Sequence, residues 1–224
     1  MAAVQLDFSA LLPFAGEFAN GLAYTAQLTA ITSTLGVAIG VAGAVARRSA
    51  NPVARGIAGA YVEAMRNTPF LVQLFFIFFG LPALGLKLSA EVAAGIALTL
   101  NLGAYSTEII RAGIESVSKG QWMAAASLGL TRAQAFVHVV LKPAFANIWP
   151  ALVSQLILVM LGSAVVSQIA VEELSYVANY VQSRNFRAFE SYLVSTALYL
   201  LFAITMRQLL NWLGRRVFAW RAVA

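Results

Sequence analysis

The chain has no cysteine, a single histidine and few charges: Asp, Glu, Lys and Arg make up 11% of its 224 residues. Without cysteine it forms no disulfide, iron–sulfur cluster or thiolate zinc site, and its redox compartment cannot be read. His138 has no acid pair near it in sequence, so no metal site is expected there. Soluble domains carry about 25% charged residues. The shortage here, with 60% hydrophobic side chains and a mean hydropathy of +0.78, excludes disorder and argues against a soluble core. No Gly-x-x-x-x-Gly-Lys-Ser/Thr loop is present, so nothing in the chain is built to cradle ATP phosphates. The first twenty residues hold Asp7 and Glu17 but no Lys or Arg, so they lack the basic start of a signal peptide, and the first apolar segment is expected to stay as an anchor. The formal charge of +6 is no nucleic-acid signature, because the basic residues flank apolar runs rather than lining a solvated face.

What is abundant is apolar sequence in long runs. A helix needs about 20 apolar residues to cross roughly 30 Å of hydrocarbon. Five stretches meet that need, at 21–46, 57–86, 91–113, 147–170 and 190–214, so the fold class expected is an all-α membrane protein with five transmembrane helices. The second stretch overruns the bilayer and contains Pro69, Gly80 and Pro82, which predicts a broken or tilted helix.

Cytoplasmic loops retain an excess of Lys and Arg. With the N-terminus outside and the C-terminus cytoplasmic, Arg47, Arg48, Arg55, Arg66, Arg111, Lys119, Arg132, Lys142, Arg207, Arg215, Arg216 and Arg221 lie inside, and only Lys87, Arg184 and Arg187 outside. Gly36, Gly40 and Gly43 form a small-residue stripe in the first span, suited to close approach of another helix. They are no dinucleotide loop, since a phosphate loop follows a strand at a solvated helix start.

Residues 116–146 are too amphipathic to span and too patterned to be a linker. Lys119 to Leu128 reads as a short helix ended by Gly129, and Thr131 with Gln134 makes a capping box for a second short helix. Ala135, Phe136, Val139 and Val140 form the apolar side of that second helix, and Arg132, His138 and Lys142 its polar side. Two readings fit: a rigid cytoplasmic knob, or an amphipathic hairpin on lipid headgroups.

The run Gly120-Gln121-Trp122-Met123-Ala124-Ala125-Ala126-Ser127-Leu128-Gly129-Leu130-Thr131 resembles the Glu-Ala-Ala loop of ABC importer permeases. Arg66-Asn67-Thr68-Pro69-Phe70-Leu71-Val72-Gln73 and Glu108-Ile109-Ile110-Arg111-Ala112-Gly113-Ile114 are similar to segments of the polar amino-acid branch (histidine, glutamate, glutamine or arginine uptake). The resemblance covers nearly the whole chain. It implies a type I-like permease, residues 1–224 forming one transmembrane domain with 116–146 as its coupling loop, in the bacterial cytoplasmic (inner) membrane. It also implies that Gly120, Gln121, Met123, Ala124, Ala125, Ala126, Leu128, Gly129 and Thr131 dock in a cleft of a separate ATPase subunit, that the complex holds two ABC ATPase subunits, that ATP–Mg is bound by those subunits and no cofactor by this chain, and that an external solute-binding protein delivers substrate. Three positions depart from the family pattern: Met123 stands at its Glu, Lys142-Pro143 shifts a Leu-Pro register by one residue, and Leu161-Gly162 replaces a Lys-Asp pair. A second permease of different sequence would supply the missing charges, which favours a heterodimer over a homodimer.

Polar groups inside the apolar layer face a partner or a water-filled cavity, because an unpaired one costs several kcal/mol. Gln73, Asn101, Tyr105, Ser154, Gln155, Ser163, Ser167 and Gln168 are the candidates, and the spacing of Gln155, Ser163 and Ser167 predicts one helical face. They line the substrate path or hydrogen-bond between helices. Glu172 and Glu173 read as a solvated outside loop edge. The expected function is the permease subunit of an ATP-driven importer of polar amino acids, not an enzyme by itself. The alternative is a stand-alone carrier or channel, against which the absence of a lone acid or base deep in the spans counts.

Overall fold

The computed structural model describes residues 6–219, so Arg221 of the charge pattern lies outside the described residues. Among them there is no strand. A 3-10 turn, Ser9–Phe14, leads into helix α1 (Ala15–Arg47). Then follow α2 (Pro52–Arg66), α3 (Phe70–Ala83), α4 (Ala90–Glu115), α5 (Lys119–Ser127), α6 (Arg132–Ile169), α7 (Leu174–Asn185) and α8 (Ala188–Val217).

Local chemistry sets most of these boundaries. Asn51 caps α2, its Oδ1 accepting from the Val53 and Ala54 N–H groups at 2.9 and 3.4 Å, with Pro52 at the first helical position, where a missing N–H is harmless. The expected break in the second apolar stretch falls at Asn67-Thr68-Pro69. Pro69 stops α2; the Glu63 carbonyl accepts from both the Asn67 N–H (3.1 Å) and the Asn67 side-chain amide (2.9 Å), and the Ala64 carbonyl accepts from the Thr68 hydroxyl (2.7 Å).

Two other prolines do not break their helices. In α3 a π-helical turn at Phe76–Gly80 precedes Pro82, and in α6 one at Ala135–Val140 precedes Pro143. In α6 the Leu141 N–H bonds to Phe136, five residues back, and the wider turn makes room for a ring that would strike the carbonyl four residues before it. The second short helix expected after Gly129 therefore does not end at Lys142-Pro143. It runs on into the fourth apolar stretch as one rod.

Three described helices are long and apolar enough to cross a membrane: Ser9–Arg47 (the 3-10 turn with α1), α6 and α8. The broken pair α2 and α3 makes a fourth if it counts as one span. Helix α4, expected as the third span, is long enough but is diluted by Asn101, Tyr105, Ser106, Thr107 and Glu108. Ala93, Ala94, Ala97, Leu102 and Ala104 are almost wholly buried, and a helix enclosed by protein needs no lipid-grade surface.

The described residues pack as two units. One comprises the residues up to 32, 70–98 and 157–206; the other comprises 33–69, 99–156 and those from 207 on. The first has a core of Leu11, Phe18, Leu174, Val177, Ala178 and Val181, which buries the apolar side of α7. The second is centred on Ala44, Ile110, Ile114, Val117, Val140, Ala144, Ile148 and Leu152. In that second unit the glycine stripe serves as expected. A methyl group on Gly36 would stand 2.7 Å from the Leu102 side chain, and one on Gly40 would stand 3.0 Å from the Ser106 backbone, so α1 and α4 touch nearly backbone to backbone.

Candidate functional site

The most strongly shaped surface feature is the turn from α5 to α6. Helix α5 ends in a Schellman motif: the Leu130 N–H donates to the Ala125 carbonyl at 3.1 Å and the Gly129 N–H to Ala126 at 3.0 Å. Gly129 has φ +76°, a conformation that costs any L side chain about 1–2 kcal/mol. Two residues on, the Thr131 hydroxyl accepts from the Gln134 N–H at 3.3 Å while the Gln134 side-chain Oε1 accepts from the Thr131 N–H at 2.9 Å. This reciprocal capping box starts α6.

The turn is backed by core. Ala125 is buried, and Trp122 and Phe136 pack on the cluster around Ile114 and Val140. Asn147 adds a hydrogen bond from its amide to the Ser116 hydroxyl, 2.9 Å. On the outer side Gly120, Gln121, Ala124, Ala126, Gly129 and Thr131 are exposed, with Met123 at 65% and Leu128 at 79%. The turn is thus a knob fixed from behind, with two bare apolar side chains in front. His138 is exposed on the polar side of α6, and no cluster of His, Cys, Asp or Glu suited to a metal occurs among the described residues.

A charge cluster in the same unit was missed by the sequence reading, although the spacing of Glu108, Arg111 and Glu115 on one helical face signals it. Arg111 donates to Glu108 and to Glu115, both at 2.7 Å, and Arg47 from the end of α1 approaches Glu108 at 3.5 Å. The Arg66 guanidinium lies 5.5 Å from the centre of the Tyr105 ring. Tyr105 is thus one turn from this cluster. Asn101 and Gln155, also in this unit, are half-buried.

Gln73, Ser163 and Ser167 belong to the other unit. Gln73 and Ser163 are buried and Ser167 is half-buried. The expected common face of Gln155, Ser163 and Ser167 does not extend past Gly162, because Ser163–Ile169 winds as a 3-10 helix. At three residues per turn, positions four apart are rotated by about 120°, against about 40° in an α-helix. The Ser163 hydroxyl donates to Met160 at 2.6 Å and that of Ser167 to Ala164 at 2.7 Å.

The reading of Glu172 and Glu173 as a solvated edge holds for Glu172 alone. Glu173 is fully buried at the start of α7, a helix absent from the expected elements. One of its oxygens accepts from the Tyr176 N–H at 2.9 Å and the other from the Tyr199 hydroxyl. Glu173 is held inward as the N-cap of α7, while Glu172 lies one residue outside the cap.

Burial raises the Glu173 carboxyl above the ordinary glutamate range, against the lowering effect of the Tyr199 hydroxyl and the Ser175 and Tyr176 N–H groups. The folded protein therefore holds this proton more tightly than the unfolded chain. Ionisation costs stability above the folded-state pKa, and the cost is absent below the usual glutamate value. Thermal melting of the wild type, measured against Glu173→Gln, is expected to gain as pH falls from 7 to about 5. A pH-independent difference would contradict this.

These features define a helical membrane protein with a rigid, exposed knob, and the comparisons with known proteins give its class. The chain belongs to the family of binding-protein-dependent transport system inner membrane components, whose model matches residues 36–219. It is therefore a multi-pass inner-membrane subunit of an ABC importer, the transport component rather than the catalytic one. It is 34% identical over 212 residues to the probable glutamine ABC transporter permease protein GlnM of Bacillus subtilis (strain 168), covering 95% of this chain and 98% of that one. The arginine transport system permease protein ArtQ of the same organism is 32% identical, covering 96% of each chain. The L-cystine transport system permease protein TcyB, again from Bacillus subtilis, is 40% identical over 166 residues, 74% of this chain and 71% of that one. A crystal structure of an amino acid ABC transporter with histidines superposes with a TM-score of 0.89 at 38% identity, over 95% of this chain and 100% of the other. An inward-facing MetNI methionine ABC transporter shares the fold at TM-score 0.76 and 19% identity, over 92% and 98% of the two chains.

Proposed function

We propose that this chain is the permease subunit of an ATP-driven importer of polar amino acids, which lines the translocation path and couples it to separate ATPase subunits. The observation that carries this reading is the backed knob, with Met123 and Leu128 bare in front of Trp122 and Ala125. Its small outer residues Gly120, Ala124 and Ala126 suit docking in a cleft of an ATPase, where ATP–Mg is held. The relatives named for glutamine, arginine and cystine support amino acids as the substrate class. The excess of Lys and Arg on one side supports five spans with the N-terminus outside. A second permease completes the path, with a heterodimer favoured, and an external solute-binding protein delivers substrate. Within a single permease domain, 1–224, the coupling loop is 116–146, and Gln73, Asn101, Tyr105, Gln155, Ser163 and Ser167 line the path.

Purified permease in liposomes is expected to give no flux, and flux with ATP hydrolysis is expected once the ATPase and binding protein are added. A single Met123→Cys in this cysteine-free chain provides the site-specific check. Its reaction with a water-soluble maleimide is expected to slow at least tenfold when the ATPase binds. Flux by the permease alone would favour the carrier reading, and unchanged labelling would leave the knob as a lipid-surface hairpin.

A further inference from the structure

We propose that Glu173 is a positioning residue for transport: its carboxylate clamps the segment 163–185 onto α8, and the rate of the transport cycle depends on that clamp. The proposal rests on the transport function proposed above. Three observations lead to it, all within one unit of the structure.

The first is that Ser163–Ile169 runs for seven residues as a 3-10 helix. Such helices have poor hydrogen-bond geometry and seldom exceed three or four residues, and a longer run marks a hinge or a strained sequence. This one needs support from outside itself.

The second is that the joints are strained. Ala170, which ends the 3-10 run, and Phe186, which ends α7, are the described non-glycine residues in the left-handed region, at φ +62° and +56°. Backbone of this kind persists only where surrounding contacts over-determine it. Phe186 is 89% exposed, so packing of its ring does not offset the cost.

The third is where the compensating contacts converge. Glu173 caps α7 through the Tyr176 N–H and accepts the Tyr199 hydroxyl of α8. The Ser175 hydroxyl lies 3.0 Å from that same tyrosine oxygen. Residues of α7 and of α8 therefore meet around one buried carboxylate, four residues past the end of the 3-10 run. Next to it the Leu174 N–H donates to the Thr25 hydroxyl of α1 at 3.2 Å. Strained joints at the end of the 3-10 run and at the end of α7, with one polar clamp between them, make a two-position element, closed while the clamp holds. Ser163, a candidate lining residue, begins the run that leads into that element.

The test uses the complete complex, with ATPase and binding protein in proteoliposomes, and two clamp variants. Glu173→Ala removes both acceptors. Tyr199→Phe removes one oxygen and keeps the ring, so it preserves the fold if the first variant does not. Both are expected to lower the maximal transport rate about tenfold, with the half-maximal concentration of loaded binding protein unchanged and normal amounts of permease in the membrane. Glu173→Gln, whose amide serves the same two partners, is expected to restore at least a third of the rate.

A second readout needs no transport. Val166, fully buried in the 3-10 run, is replaced by cysteine, and its reaction with a water-soluble maleimide is expected to rise at least tenfold in the Glu173→Ala and Tyr199→Phe backgrounds. Unchanged labelling overturns the clamp. A rate that falls only in step with the amount of folded protein, or a shifted half-maximal concentration at constant maximal rate, overturns the positioning role. Raised labelling in the two variant backgrounds, together with a complex carrying native Glu173 and Tyr199 that moves no amino acid, overturns the functional reading and leaves the clamp standing.

Discussion

Gly40→Val is expected to remove most of the folded protein from the membrane. A Cβ at position 40 would overlap the side chain of Ser106 and stand 3.0 Å from its backbone carbon and 3.2 Å from the Thr107 nitrogen. Those atoms belong to the backbone of α4 and cannot turn aside as a flexible side chain would. Valine adds two further carbons, so the helices must move apart. Separation also loosens the neighbouring contacts of Gly36 with Leu102 and of Gly43 with Thr107. Overpacking of this kind costs about 3 kcal/mol. The surrounding contacts are lost outright, because dispersion falls steeply with distance. Thermal unfolding in detergent, followed by size-exclusion chromatography, measures the loss. Gly56→Val is the matched control, since a methyl group there meets open space and the melting temperature should hold. Equal melting of the two variants would mean that the helices are not in contact at the stripe.

Gly129→Val is expected to act by a different physical route. A Cβ at this position has nothing within 4 Å, so the effect is backbone conformation alone. At φ +76° a β-branched residue pays the left-handed penalty, about 1–2 kcal/mol or more, and the chain relieves it by opening the Schellman turn. The knob then loses its fixed angle to the core behind Trp122. Membrane insertion and melting should stay near wild type. Affinity for the ATPase should fall about tenfold, the equivalent of about 1.4 kcal/mol, or hydrolysis should continue with little transport per ATP. Asn tolerates the left-handed region, so Gly129→Asn should retain most coupling. Normal coupled transport by the valine variant would show that the turn does not act as a lever.

Features encoded over a few neighbouring residues were legible before any coordinates. The capping box of Thr131 and Gln134, the glycine turn at 129, the interruption at Pro69 and the close-approach stripe at Gly36, Gly40 and Gly43 all appear where the sequence predicts them. Each depends on bonds or sterics spanning four residues or on a repeat along one helix. Prolines were read less well. Pro82 counts toward the expected break and Pro143 only toward a shifted register, yet a π turn stands upstream of each and the winding continues through both.

The amino-acid sequence by itself determined that this chain is a helical membrane protein, roughly where its apolar segments lie, and where two capped helices meet at Gly129. Apolar length, helix caps and glycine spacing are local properties, and the bilayer leaves helices as the natural solution for such runs. Only the tertiary structure decided that α4 is enclosed rather than lipid-grade, that α6 passes through Pro143 as one rod, and that the helix beyond Gly162 tightens and rotates Ser167 away from Ser163. It also decided that Glu173 is buried while Glu172 is not. The hydroxyl that satisfies Glu173 belongs to Tyr199, 26 residues away on another helix. Burial of a carboxylate is stable only where such a partner arrives, and which partner arrives is a property of the packed chain rather than of the residues beside it.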